Sequence, residues 1–232
     1  GDYIFRTCFV DAFQGEVMAA FAANTLKAKK AAIIFDFNSP YGRGLTDFFE
    51  LSFRKLGGEI LKQSYTQGDR DFSGQLTQIR AANPDVIYVP GYYGEVGVIS
   101  NQSKQLGIKA PLLGGDGWDS PQLWELGGAS LNGNYISNHY SVDDPSPAIQ
   151  KFVEGYKGRY ANLLPDAHAA LAYDAARHAL TALLTHQGLR PTTRGGHYAV
   201  ERAVKSQFGP VFRQFGALRR RRNELEYPTP LL

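Results

Sequence analysis

Short apolar runs and helical segments alternate along the first 130 residues, and this order limits what the chain can fold into. Strand patterns lie at residues 31–36, 59–65, 85–89 and 111–114, and the first of them is a short apolar run that suits a strand buried on both faces. Helical patterns separate and follow them, at residues 44–56, 73–82, 95–106 and 120–126. Strands that are separated by helices of this length predict βαβ units and a parallel sheet. We therefore predict an α/β fold with a doubly wound parallel-sheet lobe.

The pattern becomes all-helical after about residue 140. Residues 146–160 and 167–186 predict two long helices, and residues 197–226 predict two more that are rich in Arg. We accordingly divide the chain into an α/β lobe at residues 1–141, helices at 142–187 and a basic helical tail at 188–232.

Composition and charge narrow the class of protein. Hydrophobic residues make up 43% of the chain and charged residues 20%, as in globular proteins, and no apolar run approaches the ~20 residues of a membrane span. The net charge of +3 is uneven, because residues 188–232 carry nine Arg or Lys against three acids and so leave residues 1–187 negative. The first residues do not resemble a signal peptide, and we expect the chain to start inside a longer protein.

Several kinds of catalytic and metal chemistry lack their motifs. Cys8 is the only cysteine, which excludes an intrachain disulfide and thiol-rich metal sites. The chain has no Gly-x-Gly-x-x-Gly after the first strand, no Walker loop and no Gly-x-Ser-x-Gly turn, and its five histidines form no His-x-x-x-His pair. We predict no cofactor, no metal site and no enzymatic activity.

Candidate ligand-binding residues follow three of the predicted strands. In an open parallel sheet, ligands bind at the carboxyl ends of the strands. The residues that we select there are Tyr41, Tyr92, Tyr93, Asp116 and Trp118. Aromatic rings around one carboxylate suit a small ligand with an apolar part and a cation. A structural role is the alternative: the tyrosines could line the rim, and Asp116, between two glycines, could be a turn residue. Asp119 better fits a turn or capping role before Ser120-Pro121.

An ordered series of motifs runs through residues 1–177. It comprises Asp2-Tyr3-Ile4-Phe5-Arg6-Thr7, Asp11, Gln14-Gly15, Tyr41-Gly42, Asp71-Phe72-Ser73, Gly91-Tyr92-Tyr93, Leu106-Gly107-Ile108, Gly114-Gly115-Asp116-Gly117-Trp118, Phe152-Val153, Tyr156-Lys157 and Ala172-Tyr173-Asp174-Ala175. This series resembles the branched-chain amino-acid-binding proteins of ABC importers, which are type I periplasmic binding proteins. Their fold has two α/β lobes, joined by crossover strands, that close on a ligand.

The resemblance implies a solute-binding protein that serves an ABC importer. Its partners would be a small-molecule amino acid and a membrane permease, and its location would be periplasmic or extracellular with a lipid anchor. Residues 8–134 would form the second lobe, residues 1–7 and 135–141 hinge crossings, and residues 146–177 helices of the first lobe. The rest of the first lobe, which would precede Gly1, is missing, so we expect a truncated form or chimera with weak or lost binding.

The resemblance also implies roles for the candidate residues. The ligand's ammonium group would bind Asp116, and Tyr41 and one of Tyr92 or Tyr93 would provide aromatic contacts. An ammonium group that leaves water needs a paired carboxylate, or burying it costs several kcal/mol. The ligand's carboxylate would be held by hydroxyl and backbone donors of the first lobe.

The end of the chain resembles a different family. Tyr173-Asp174-Ala175-Ala176-Arg177, Gly188-Leu189-Arg190-Pro191-Thr192 and the run from Leu218 to Pro228 resemble the C-terminal half of a HEPN domain, over residues 173–232. HEPN nucleases carry an Arg and a His that are separated by four to six residues. Here four residues separate Arg222 from Tyr227, and a tyrosine cannot transfer protons as a histidine does near neutral pH. The alternative function is therefore a HEPN-type RNA-binding or RNase-related fragment, in which the basic tail contacts nucleic acid. A chimera that keeps neither function is a third hypothesis.

Overall fold

A computed structural model describes residues 8–186 of the chain. The chain divides into two compact units, residues 1–171 and residues 172–232. The predicted hinge crossing at residues 1–7 and the predicted basic tail at 188–232 lie outside the described residues. The boundaries that we placed between 141 and 142 and between 187 and 188 stay predictions.

The first unit is built on a five-stranded parallel sheet. Its strands are β1 Lys30–Asp36, β2 Glu59–Tyr65, β3 Val86–Tyr88, β4 Leu112–Gly114 and β5 Tyr135–Ile136. Their order across the sheet is β2-β1-β3-β4-β5, and every neighbouring pair is parallel. Strand β2 lies on one side of β1, and β3 lies on the other side. The direction in which strands are added therefore changes after β2, and the sheet has a topological switch point between β1 and β3. The predicted doubly wound α/β fold is confirmed.

Helices cover both faces of this sheet. They are α1 Asp11–Ala20, α2 Pro40–Lys55, α3 Ser73–Ala82, α4 Tyr93–Gln105 and α5 Pro121–Gly127. Two further helices follow in the chain, α6 Pro147–Arg159 and α7 Ala167–His186. Successive side chains of a strand point to opposite faces. In β1, Ala31 and Ile33 pack in the core under α1 and α2, whereas Ala32 and Ile34 pack in the core under α3, α4 and α5. A strand buried on both faces explains why β1 is apolar along its length.

Helices α1 and α2 differ most from the predictions. Helix α2 begins at Pro40, earlier than the predicted residue 44, because Ser39 caps it: the Ser39 hydroxyl accepts a hydrogen bond from the Gly42 N–H at 3.1 Å and a proline occupies the first turn. Helix α1 was not predicted at all. Its outward face exposes Phe13 and Val17, so its apolar residues do not segregate to the buried side as in an amphipathic helix.

Asp119 caps a helix that is distant in sequence. The sequence assigned it a turn or capping role before Ser120-Pro121, but Ser120 itself caps α5 through the Gln122 N–H. The Asp119 carboxylate instead accepts a hydrogen bond from the Ala167 N–H at 2.8 Å, at the start of α7. Asp166 caps the same end through the Ala169 N–H at 2.7 Å. The loop that follows β4 therefore holds the beginning of α7.

We expect Asp119→Ala to weaken the start of α7. Loss of a side-chain cap costs about 1 kcal/mol, so the Ala167 amide should exchange its hydrogen about fivefold faster. Asp119→Asn keeps a side-chain oxygen and should largely preserve protection. Hydrogen exchange measured by NMR checks both variants. An unchanged exchange rate in Asp119→Ala would show that this hydrogen bond does not protect the helix end.

Candidate ligand-binding site

The switch point of the sheet brings three segments together. Tyr41 lies in the first turn of α2, directly after β1, and Tyr92 lies directly before α4, after β3. Asp116 begins a short 3-10 turn, Asp116–Trp118, that follows β4. Since β1, β3 and β4 are parallel neighbours, their carboxyl ends lie along one edge, and ligands of open α/β sheets bind at such edges.

Tyr41 joins the other two segments. Its hydroxyl donates a hydrogen bond to Asp116 Oδ1 at 2.7 Å and accepts one from the Gly117 N–H at 3.1 Å. Its ring stacks on Tyr92, with ring centroids 5.2 Å apart and planes inclined by 24°. The structure therefore places Tyr41, Tyr92 and Asp116 in one cluster, as their positions after the strands led us to expect.

The Tyr41 hydroxyl remains a proton donor to Asp116. Burial raises the pKa of this hydroxyl above its usual range, and the charge of Asp116 and the hydrogen bond to it raise the pKa further. A phenol with a raised pKa is protonated at all physiological pH values. Asp116 thus receives a stable hydrogen bond from Tyr41.

Gln14 is a second donor to Asp116, and the candidate residues did not include it. Its side-chain amide lies 3.2 Å from Asp116 Oδ1 and 3.0 Å from the Ser137 hydroxyl. The side chain is buried, and it reaches Asp116 from α1 on the side of the sheet that also carries α2. Gln14-Gly15 was one of the motifs of the resemblance, but no local sequence pattern indicated that the Gln14 side chain would lie beside Asp116.

His139 is the third donor to Asp116, because a carboxylate only accepts hydrogen bonds and the ring nitrogen that faces it must carry the proton. Its Nε2 lies 3.1 Å from Asp116 Oδ2, and its ring stacks on Phe9 with centroids 3.9 Å apart. The segment that follows β5 places it there, because β5 pairs with β4 and thus runs toward the same edge as Asp116. The sequence contains no His-x-x-x-His pair, and no local pattern indicated that His139 would contact Asp116.

Glycines allow the segments to approach this closely. A Cβ atom at position 117 would lie 2.8 Å from the backbone oxygen of Gly91, and one at position 115 would lie 2.6 Å from the Tyr41 hydroxyl. Both distances are shorter than a carbon–oxygen contact permits. The loops after β3 and β4 and the start of α2 meet at Asp116, and only glycine fits on either side of it. The two glycines are therefore needed for this close packing as well as for the turn.

We expect Gly117→Ala to destabilise the protein. The new methyl group meets backbone that cannot rotate away, and such overpacking costs about 1–3 kcal/mol of the free energy of unfolding. Gly74→Ala is the matched control, because a Cβ at position 74 has no neighbour within 4 Å. That variant should change stability by less than about 1 kcal/mol. Urea unfolding followed by circular dichroism compares the two, and equal midpoints would contradict the close approach of the loops.

The remaining two candidates have different positions. Tyr93 begins α4 beside Tyr92 and is exposed. Trp118 is only 2% exposed, and its indole N–H donates a hydrogen bond to the backbone oxygen of Val89 at 3.0 Å. The 3-10 turn after β4 directs the ring into the core below α4 and α5. Trp118 is a core residue with its polar atom already bonded, so we correct its assignment as a ligand contact.

Trp118→Phe should lower stability because the smaller ring leaves a gap in the core, and because the Val89 carbonyl loses one of its two donors and keeps only the Gly91 N–H at 2.9 Å. The loss of buried ring atoms and of a buried hydrogen bond costs about 1–3 kcal/mol of the free energy of unfolding. Trp124→Phe is the control, since Trp124 is 62% exposed. Urea unfolding of both variants should show a lower midpoint for Trp118→Phe alone. If the two midpoints agree, Trp118 does not have this core role.

A family model for periplasmic binding proteins matches residues 1–214. The chain belongs to the periplasmic binding protein family. The Leu/Ile/Val-binding protein homolog 3 of Brucella melitensis is 35% identical over 173 residues, which are 74% of this chain and 46% of that protein. The Leu/Ile/Val-binding protein BraC3 of Rhizobium johnstonii is 35% identical over 136 residues, 58% of this chain and 37% of that protein. This periplasmic binding protein chain spans about half the length, or less, of these curated relatives.

Solved structures share its fold. A leucine-binding protein of Thermotoga maritima matches with a TM-score of 0.73 at 42% identity, over 79% of this chain and 52% of that one. A branched-chain amino acid transporter substrate-binding protein of Streptococcus pneumoniae, solved with isoleucine, matches with a TM-score of 0.71 at 31% identity, over 88% of this chain and 56% of that one. The predicted resemblance to branched-chain amino-acid-binding proteins is confirmed.

The predicted resemblance to a HEPN domain receives no support. The periplasmic binding protein model extends to residue 214, beyond residue 177, where we expected that resemblance to end. It therefore covers most of the segment at 173–232 that we compared with HEPN proteins. The Arg222 and Tyr227 positions lie outside the described residues.

Residues 8–186 were found to contain neither a metal-binding cluster nor a membrane-spanning helix. Within this part of the chain, no group of three or more His, Cys, Asp or Glu side chains is placed to hold a metal ion. Within the same part, no helix has both the length and the apolar character of a membrane span.

Proposed function

We propose that the chain is the amino-acid-binding lobe of a solute-binding protein of an ABC importer, with Asp116 as the acceptor for the ligand's ammonium group. The observation that carries this proposal is the Asp116 carboxylate. It lies at the switch point of the sheet beside the stacked rings of Tyr41 and Tyr92, and 28% of its side chain is exposed although three donors surround it. A carboxylate that is fixed but still accessible can bind a cation from solution.

The surrounding groups fit an amino acid with an apolar side chain. Asp116 would pair with the ammonium group, which needs a charged partner when it leaves water. Tyr92, with half of its surface exposed, and the exposed Tyr93 would provide aromatic surface for the ligand's side chain. Tyr41 would act mainly through Asp116 and through the stack with Tyr92.

Similarity to named proteins supports a branched-chain ligand. The relatives from Brucella melitensis and Rhizobium johnstonii are named as Leu/Ile/Val-binding proteins, and the Streptococcus pneumoniae structure contains isoleucine. We extend this ligand class to the present chain as part of the proposal. Its partner would be the permease of the importer, its location periplasmic or extracellular with a lipid anchor, and its action binding without catalysis.

We expect the 232-residue chain to bind an amino acid weakly. It spans about half the length of its relatives, and we propose that the donors for the ligand's carboxylate belong to the other lobe of the family fold. Each missing hydrogen bond to a charged group costs about 1.5–3 kcal/mol, so two of them would raise the dissociation constant by orders of magnitude. The affinity should fall in the millimolar range, which NMR titration can measure.

The test uses leucine and two analogues that each lack one charged group. We expect isoamylamine, which has no carboxylate, to shift the backbone amides of residues 115–117, and 4-methylpentanoate, which has no ammonium group, to leave them unchanged. Asp116→Asn should remove the shifts caused by leucine and isoamylamine, because an amide does not pair with an ammonium group as a carboxylate does.

Asp47→Asn is the matched control, since Asp47 is exposed on α2 and carries the same charge. It should bind both ligands as the unaltered chain does. If 4-methylpentanoate binds as well as isoamylamine, or if Asp116→Asn binds leucine normally, the assignment of Asp116 is wrong.

A further inference from the structure

The Asp116 carboxylate is almost fully supplied with protein donors. A carboxylate offers about four acceptor positions, two on each oxygen. Tyr41 and Gln14 both lie within hydrogen-bonding distance of Oδ1, and His139 lies 3.1 Å from Oδ2. This arrangement leaves one acceptor position, and it is on Oδ2.

His139 is held so that its Nε2 faces this carboxylate. Only 8% of its side chain is exposed, and the Phe9 ring lies against the imidazole at 3.9 Å with an inclination of 28°. A stacked, buried ring has little freedom to turn or to leave. His139 therefore differs from a surface residue that meets Asp116 by chance.

Gln14 fixes the other oxygen and connects it to the segment of His139. Its amide group has two protons, one for Asp116 Oδ1 and one for the Ser137 hydroxyl. The Ser137 hydroxyl in turn lies 3.4 Å from the backbone oxygen of Gly114, the last residue of β4. Gln14 is 2% exposed, so this connection is shielded from water.

We propose that His139 and Gln14 are positioning residues for the ammonium-binding carboxylate. With Tyr41 they fix both oxygens of Asp116 and leave a single acceptor position on Oδ2, so that a cationic ligand is bound through one N–H in one direction. This inference rests on the proposed role of Asp116 in amino-acid binding. It adds two residues, from α1 and from the segment after β5, that determine which ligand geometry the site accepts.

The first test compares substitutions of His139 in the full 232-residue chain. His139→Gln keeps an N–H near the position of Nε2, whereas His139→Leu removes the donor. At about pH 8, where imidazoles are generally neutral, we expect His139→Leu to raise the dissociation constant of isoamylamine about tenfold and His139→Gln to stay within about threefold of the unaltered chain. NMR titration of the amides at residues 115–117 measures these constants.

Two further variants complete this comparison. Gln14→Met, similar in length but without N–H groups, should weaken isoamylamine binding about as much as His139→Leu. His168→Leu is the control for a histidine replacement, because His168 is exposed on α7. Tighter binding by His139→Leu would overturn the proposal, since it would mean that His139 occupies the ligand's position and must be displaced. Equal binding by His139→Leu and His139→Gln would also overturn it.

The second test needs no ligand. If His139 Nε2 donates to Asp116, the neutral imidazole carries its proton on Nε2, which the nitrogen chemical shifts of the ring report. The Nε2–H signal should shift in Asp116→Asn and stay in place in Asp47→Asn. A proton on Nδ1 would overturn the positioning role. If no amino acid or amine binds the unaltered chain, the proposed function fails, and the ring shifts still decide whether His139 positions the carboxylate.

Discussion

The parallel pairing of β1, β3 and β4 is the constraint on which the rest of the site depends. Parallel strands end at the same edge, so the segments that follow them meet although they are distant in sequence. The chain places β2 and β3 on opposite sides of β1, which opens a gap between the helices of the two faces at this edge. Tyr41, Tyr92 and Asp116 lie at this gap because each is among the first residues after its strand.

Close backbone contact converts this edge into a defined site. Gly117 lies so near the backbone of Gly91 that no side chain fits, and Gly115 leaves room for the Tyr41 hydroxyl. The Trp118 indole anchors the same turn from below through its hydrogen bond to Val89. The four residues 115–118 thus present Asp116 at the surface of the lobe, bury Trp118 in the core and leave room for the Tyr41 hydroxyl.

The surroundings of Asp116 support its proposed role as a cation-binding residue. Its donors come from α1, from α2 and from the segment after β5, so the carboxylate is oriented by three independent parts of the lobe. A carboxylate oriented in advance loses little freedom when a ligand binds, and this reduces the cost of association. The same segment after β5 carries His139 and Ser137, so it takes part in the site as well as continuing the chain toward α6.

The sequence by itself determined the fold class, the alternation of the first four strands with helices α2 to α5, and three members of the cluster at the strand ends, Tyr41, Tyr92 and Asp116. These follow from local patterns: apolar runs, helix starts, and the rule that strand ends carry ligand residues. The sequence did not predict β5 at Tyr135–Ile136, because two residues are too few to form a strand pattern. Helix α1, the core position of Trp118, the capping of α7 by Asp119 and the contacts of Gln14 and His139 were decided only by the tertiary structure. Each of these depends on a distance between segments that are far apart in sequence, which strand pairing and packing set and which no local pattern records.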